Sequence, residues 1–318
     1  MNAAFSLMWP IVLPIVALLL PLTIGPMLIW GERRLLAVWQ DRYGPNRVGP
    51  FGLLQVVADA IKMFFKEDWV PPFADKRVFI AAPAIIITTV LLSFALVPWA
   101  PGVVVFDSSV GLLLFLALSS FGAYSLTLGG WASQNKYALL GAMRSAGQMI
   151  AYEVFMGLSL MGVVAKAGSF NLSDIVRSQQ GLWNIFPQAI GFVVFYIAAL
   201  AETHRLPFDL PEAESELVAG FHAEYSGLKF GMFFVGEYLG ITLMSSMMTM
   251  LFFGGWLGPV LPPILWFLIK TGFLIASFIL LRASLPRPRI DQLLVFGWRI
   301  LLPLSLANLM VTAFIILI

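Results

Sequence analysis

The sequence predicts an all-α polytopic membrane protein that crosses the bilayer eight times, with an amphipathic helix and an ordered acidic loop on the cytoplasmic side. Three observations carry this. Of 318 residues, 60% are hydrophobic and only 11% are charged, and the mean hydropathy is +0.90. Apolar stretches of about 20 residues, enough to cross roughly 30 Å of hydrocarbon, recur along the whole chain. Most of the charges gather in the connections between those stretches. With no cysteine there is neither a disulfide nor a cysteine-ligated cluster, and two histidines leave little room for a metal site. A net charge of +2 offers no case for nucleic acid.

The expected spans cover residues 8–30, 78–99, 110–131, 142–164, 183–201, 230–253, 261–281 and 293–316, within a single membrane domain of residues 1–318. The first lacks a basic leader and a small-residue cleavage site, so it is expected to be retained. No internal repeat is evident, which counts against inverted-repeat transporters.

Loop charges set the orientation. Arg33, Arg34, Arg42, Arg47, Lys62, Lys66, Lys76 and Arg77 follow the first span, and Lys136, Arg205, Lys229, Arg287 and Arg289 lie in loops on the same side. The opposite loops hold only Lys166 and Arg177. The basic side is expected to be cytoplasmic, with both termini periplasmic.

Within the first loop, residues 52–66 are apolar except for Gln55, Asp59, Lys62 and Lys66. Their spacing of 4, 3 and 4 draws one polar stripe on a helix too short to span. Asp59 and Lys62, at i,i+3, can pair. Such a helix either lies in the interface or lines a ligand tunnel. Just before it, residues 42–50 hold two Pro and two Gly, which force an ordered but irregular backbone. On the outer side, residues 169–180 allow a short helix capped by Asn171 or Ser173.

Four charges sit well inside spans, beyond Arg144 at the edge of the fourth, and a centrally placed charge costs at least about 2.5–3.5 kcal/mol. Glu153 lies about eleven residues from the cytoplasmic end of the fourth span, roughly 16 Å deep. Glu237 is in the sixth span, Lys270 in the seventh and Arg299 in the eighth. For Lys270 and Arg299, a buried ion pair that fixes helix packing is as good a reading as a functional charge. No basic residue lies within a turn of Glu153 or Glu237, which favours a proton relay for these two.

Six of the seventeen acidic residues fall between Glu202 and Glu224: Glu202, Asp209, Glu212, Glu214, Glu216 and Glu224. Asp209 and Glu212, with Pro211 between them, read as the capped start of a helix. That leaves Glu214, Glu216 and Glu224 unexplained. Packed in low dielectric, the set would titrate together and respond to a nearby charge. The loop spacing that a calcium site needs is absent.

Two long motifs then carry a resemblance: Gly52-Leu-Leu-Gln-Val-Val-Ala-Asp-Ala-Ile-Lys-Met-Phe-Phe-Lys-Glu67 and Pro207-Phe-Asp-Leu-Pro-Glu-Ala-Glu-Ser-Glu-Leu-Val-Ala-Gly220. With Gly31-Glu-Arg-Arg34, Arg42-Tyr-Gly-Pro-Asn-Arg47 and Arg282-Ala-Ser-Leu-Pro-Arg-Pro-Arg289, the chain resembles the family of the membrane H subunit of bacterial NADH:quinone oxidoreductase (respiratory complex I), equivalent to mitochondrial subunit 1. The resemblance covers nearly the whole chain. It implies a translocase component in the bacterial cytoplasmic (inner) membrane that is not catalytic alone. Its substrate is a quinone, ubiquinone or menaquinone, and the chain itself binds no flavin, Fe–S cluster or metal. Its partners are the peripheral subunits that hold the quinone site and terminal cluster, small adjacent membrane subunits, and lipid. The resemblance places Glu32, Arg33, Gln40, Arg42, Phe234 and Arg282 along a quinone tunnel, with Asp59 and Lys62 of the amphipathic helix at its mouth. It assigns Glu153, Glu202, Asp209, Glu212, Glu214, Glu216, Glu224 and Glu237 to a proton or coupling path.

Two rivals remain at this point. One is the equivalent subunit of a membrane-bound hydrogenase or formate hydrogenlyase, which genes for NADH- and flavin-binding partners nearby would exclude. The other is a stand-alone cation/proton antiporter, which transport by the purified chain alone would support.

Overall fold

The computed structural model describes residues 3–212 and 214–317, and the side chains of residues 12–212 and 216–317. It is all-helical among those residues. Seven helices are long and apolar enough to cross a membrane. α1 runs Ala3–Trp39, and the amphipathic α2 runs Gln55–Phe65. The spans α3 (Lys76–Phe94), α4 (Gly111–Ala132) and α5 (Lys136–Ala167) follow. The short α6 (Leu172–Arg177) is capped by Asn171, whose Oδ1 accepts from the Ser173 and Asp174 N–H groups. Next come α7 (Ala189–Glu202), the four-residue α8 (Glu214–Leu217) and α9 (Gly227–Phe252). α10 (Pro263–Ser284) precedes a last span built from α11 (Ile290–Phe296), one π turn and α12 (Leu302–Leu317).

The expected fifth span, 183–201, forms differently. Only Ala189–Glu202 is helical, and 14 residues reach about 21 Å, short of the hydrocarbon thickness. Pro187 disfavours continuing the helix backwards. The segment before it folds into the protein, where the Ile185 N–H donates to the Phe252 carbonyl at 2.9 Å. The buried side chains of Gln179 and Asn184 donate to the Met250 and Leu251 carbonyls at 2.7 and 2.9 Å. Irregular backbone at membrane depth is tolerated where protein satisfies it in this way.

α9 is the most enclosed span, with 72% of its apolar window buried. It packs against α1, α3, α7 and α10, while α5 packs against α4, α7 and α12. α9 and α5 thus form the two walls between which the charged segments lie.

The structure corrects the ion-pair reading of Lys270 and Arg299. Among the described residues, neither meets a carboxylate. Lys270 Nζ donates to the carbonyls of Phe253 (2.7 Å), Gly255 (3.1 Å) and Leu257 (2.7 Å), and lies 4.2 Å from the Trp183 ring. It therefore closes the C-terminal end of α9, where a cation suits the helix dipole. Arg299 is exposed on the outer face of the bundle.

Candidate functional site

Two cavities meet where α2 lies across α1 and α9. One, of about 320 Å³, is lined by Arg33, Asp59, Lys62, Lys66, Phe230 and Phe234. The other, of about 290 Å³, is apolar and is walled by Leu22, Val56, Phe64, Ile87 and Val235. Ile29, Asp59, Met63 and Phe234 line both, so a polar chamber adjoins an apolar one. Asp59 does not engage Lys62 as its spacing allowed. Its carboxylate accepts from Arg33 at 3.1 Å and from Gln55 at 2.8 Å. The guanidinium from α1 offers a charge-assisted bond and ties α2 to the bundle. Arg33, Asp59, Lys62 and Phe234 are thus brought together. Gln40 and Arg42 are not. They bond each other at 2.8 Å on the exposed turn after α1.

A chain of charges, buried from Glu32 onward, lies near Phe234 of these chambers, whose ring packs on Tyr238. Arg282, near the end of α10, pairs with Glu32 of α1. Glu32 also lies 3.8 Å from Arg205, and Arg205 lies 3.8 Å from Glu237 of α9. Glu32 is 4% exposed and Arg205 5%. The Arg205 guanidinium sits 4.2 Å over the Tyr238 ring, while its Nε and Nη2 have no hydrogen-bond partner. At 3.8 Å these are charge contacts, longer than a hydrogen bond. The absence of a basic residue within a turn of Glu237 therefore did not mean absence of a cation, because the loop after α7 supplies Arg205.

Beyond Arg205 the carboxylates converge. Glu237 faces Glu212 and Asp209. It also shares a cavity of about 50 Å³ with Glu202, His204, Thr203 and Ser93, large enough to hold water. Glu202 feels the charge of Glu153, whose carboxylate accepts from Ser120 of α4. Glu153, Glu202, Glu237, Glu212 and Asp209 thus form one neighbourhood. Glu216 lies apart, paired with Arg144 at 2.5 Å and 44% exposed. Glu224 accepts from Asn135 at 2.7 Å on a separate polar face. The Glu214 side chain lies outside the described residues.

Asp209 and Glu212 do not open a helix. The next helix begins only at Glu214, and Asp209 instead pairs with Arg287 at 2.8 Å. Glu212 lies 3.7 Å from His222 Nδ1. The turn that carries them is pinned by Gln148, which donates to the Ala201 and Phe208 carbonyls at 2.7 and 2.9 Å. At the far end of the segment, Gly220 has φ +56° and packs on Pro211, where a Cβ would sit 1.7 Å from the carbonyl oxygen. Only glycine fits there.

Burial, and then the charge of Glu212, push the Asp209 carboxyl from 3.8 up to about 7, although Arg287 pulls the other way. Asp209 is then protonated in the folded chain but ionised in the unfolded one between those values. The resulting stabilisation is complete below the unfolded value and is lost as pH rises to about 7. The melting temperature is expected to fall between about pH 4 and pH 7, and Asp209→Asn is expected to flatten that fall. An unaltered slope in Asp209→Asn would assign the effect elsewhere. Burial also pushes His204 down to about 4, so it stays neutral, with Nε2 3.0 Å from Ser145 Oγ.

Arg205, His204, Gln148 and Arg287 were not singled out as site residues from the sequence. His204 and Arg205 stand two and three residues after Glu202, and Arg287 lies in the Arg282–Arg289 motif, so the signal was position beside a motif.

This architecture defines a class: an all-helical polytopic membrane protein with two adjoining cavities, one polar and one apolar, and a set of interior charges that ends in a cluster of acids. The family model described as NADH dehydrogenase matches residues 11–313, and the chain belongs to that family. It is 63% identical over 296 residues to the H subunit of NADH-quinone oxidoreductase from Methylococcus capsulatus (strain ATCC 33009 / NCIMB 11132 / Bath), covering 93% of this chain and 94% of that protein. The resemblance carried by the two long motifs is borne out.

Proposed function

We propose that this chain is the H subunit of a proton-pumping NADH:quinone oxidoreductase. It anchors the peripheral arm, forms the access tunnel for quinone, and couples quinone reduction to proton translocation. The observation that carries the coupling role is the series of charges Arg282, Glu32, Arg205, Glu237, half-buried at Arg282 and buried from Glu32 on, which meets the chamber wall through Tyr238 and Phe234 and ends at the acid cluster. An isoprenoid tail suits the apolar chamber, and a polar headgroup suits the side lined by Arg33, Asp59 and Lys62. Quinone reduced by two electrons gains negative charge and then two protons. That charge pulls on the guanidinium groups, and a shift of Arg205 towards Glu32 weakens its hold on Glu237. Glu237, Glu202 and Glu153 then change their protonation and pass the change on through the membrane arm.

The exposed loop after α1 and the basic residues on that side fit docking of a soluble arm, and small membrane subunits complete the surroundings. On this reading the chain lies in the bacterial cytoplasmic membrane with both termini periplasmic, as loop charge implies. The quinone is ubiquinone or menaquinone.

Glu153→Gln and Glu237→Gln are expected to lower proton pumping driven by quinone reduction several-fold. NADH oxidation by an artificial acceptor should be unchanged, since that acceptor bypasses the tunnel. The readouts are a pH-sensitive dye in inverted vesicles and the acceptor's absorbance. Full pumping in both variants would overturn the coupling role.

A further inference from the structure

Arg299 is the only charged side chain in the last span beyond its first turn. It stands nine residues past Ile290, about two and a half turns and roughly 14 Å along the helix. Its side chain is exposed, and no carboxylate pairs with it among the described residues. The backbone explains its outward position. Pro303 has no N–H for the Arg299 carbonyl, so α-helical hydrogen bonding fails there. The chain opens into a π turn over Gly297–Leu301, closed by the Leu302 N–H on the Gly297 carbonyl. Gly297 and Leu301 face inward. A Cβ on Gly297 would come within 2.5 Å of the Phe155 ring, and Leu301 is 1% exposed. Trp298 and Ile300 flank Arg299 on the outside, 49% and 52% exposed.

We propose that this face receives a transmembrane helix of a neighbouring subunit, and that an Asp or Glu within that helix's apolar run pairs with Arg299. An unpaired guanidinium at this depth is strongly unfavourable in hydrocarbon. An apolar strip with one cation is complementary to an apolar strip with one anion, and low dielectric makes that match selective. A lipid phosphate is held at the bilayer surface, whereas Arg299 is rooted more than two turns inward, so a carboxylate at equal depth is the better partner. The inference rests on the reading that the chain works within a multisubunit complex.

The test uses the whole complex in its membrane, carrying Arg299→Lys. A lipid-soluble carbodiimide joins an amine to a carboxylate without a spacer, and peptide mass spectrometry identifies the product. The expected product links position 299 to an Asp or Glu in an apolar span of a second subunit. A link to lipid alone, or no link in a complex with all its subunits, overturns the proposal. Arg299→Gln is expected to cause loss of that second subunit from the purified complex, while Arg299→Lys retains it. Full composition and an unchanged melting temperature in Arg299→Gln would also overturn it. Purification of the chain with no companion at all would overturn the complex reading itself, and this proposal with it, which is a distinguishable result.

Discussion

Arg205→Met is expected to destabilise the protein by about 3–5 kcal/mol, the usual result of removing one partner from a buried ion pair. Glu32 would keep Arg282. Glu237 would be left facing Glu212 and Asp209 in a site where it is 10% exposed. The desolvation of those carboxylates is then no longer offset. The melting temperature of the assembled complex and the amount of chain retained in the membrane report the loss. Quinone reductase activity should fall with it. A double variant, Arg205→Met with Glu237→Gln, removes the facing pair of charges while keeping the Glu32–Arg282 pair, and is expected to recover part of the stability, because Glu237 no longer stands as an uncompensated charge. It should not recover coupling. If Arg205→Met melts like the parent, the guanidinium is not holding the series together. Arg205→Lys is expected to fall between the two, since an ammonium is a point charge and cannot span two carboxylates as a planar fork does.

The second large effect is expected at Lys270. Its ammonium group uses all three donors on carbonyls at the end of α9, and is 8% exposed. Each hydrogen bond to a charged group is worth roughly 1.5–3 kcal/mol, so Lys270→Met is expected to cost at least about 3 kcal/mol even with partial compensation by water. The turn it holds contains Gly254 at φ +70° and Gly255 at φ +51°, whose N–H groups donate to Gln179 Oε1 and the Thr249 carbonyl. The fall should appear in the melting temperature and in faster proteolysis of residues 253–262, while quinone binding, proposed near the opposite end of α9, should persist. Unchanged melting and proteolysis would mean that the three contacts are replaceable. An equal loss of quinone binding would mean that the effect spreads beyond the turn.

The two sites differ in how far they could be read from sequence. Span-length apolar runs disclosed seven of the crossing helices, because the bilayer tests each segment separately for length and polarity. The exception, residues 183–201, lost its first part to Pro187 and to side chains that satisfy an irregular backbone, neither of which hydropathy registers. The polar stripe of α2 was legible because helical periodicity is local. Its partner was not, since Arg33 is 26 residues from Asp59.

The acidic cluster divides in the same way. A dense run of carboxylates in an apolar chain was visible at once, and so were the motifs that proved to mark the family. Which acids belong together was not visible. Glu153 and Glu237 come from different spans, and the cap expected of Asp209 gave way to Arg287, 78 residues on. Glu32 meets Arg282 across 250 residues. By itself the sequence determined that this chain belongs in a membrane, seven of the segments long and apolar enough to cross it, which family it resembles, and that scarce carboxylates are concentrated in one place. Only the tertiary structure decided that Arg205 stands between Glu32 and Glu237, that Glu216 and Glu224 lie outside the shared cavity, and that Lys270 closes a helix end. The physical reason is range. Hydrophobic burial and helix formation are settled within a turn or a span, while a buried charge takes whichever partner the packing of distant helices brings within a few ångströms.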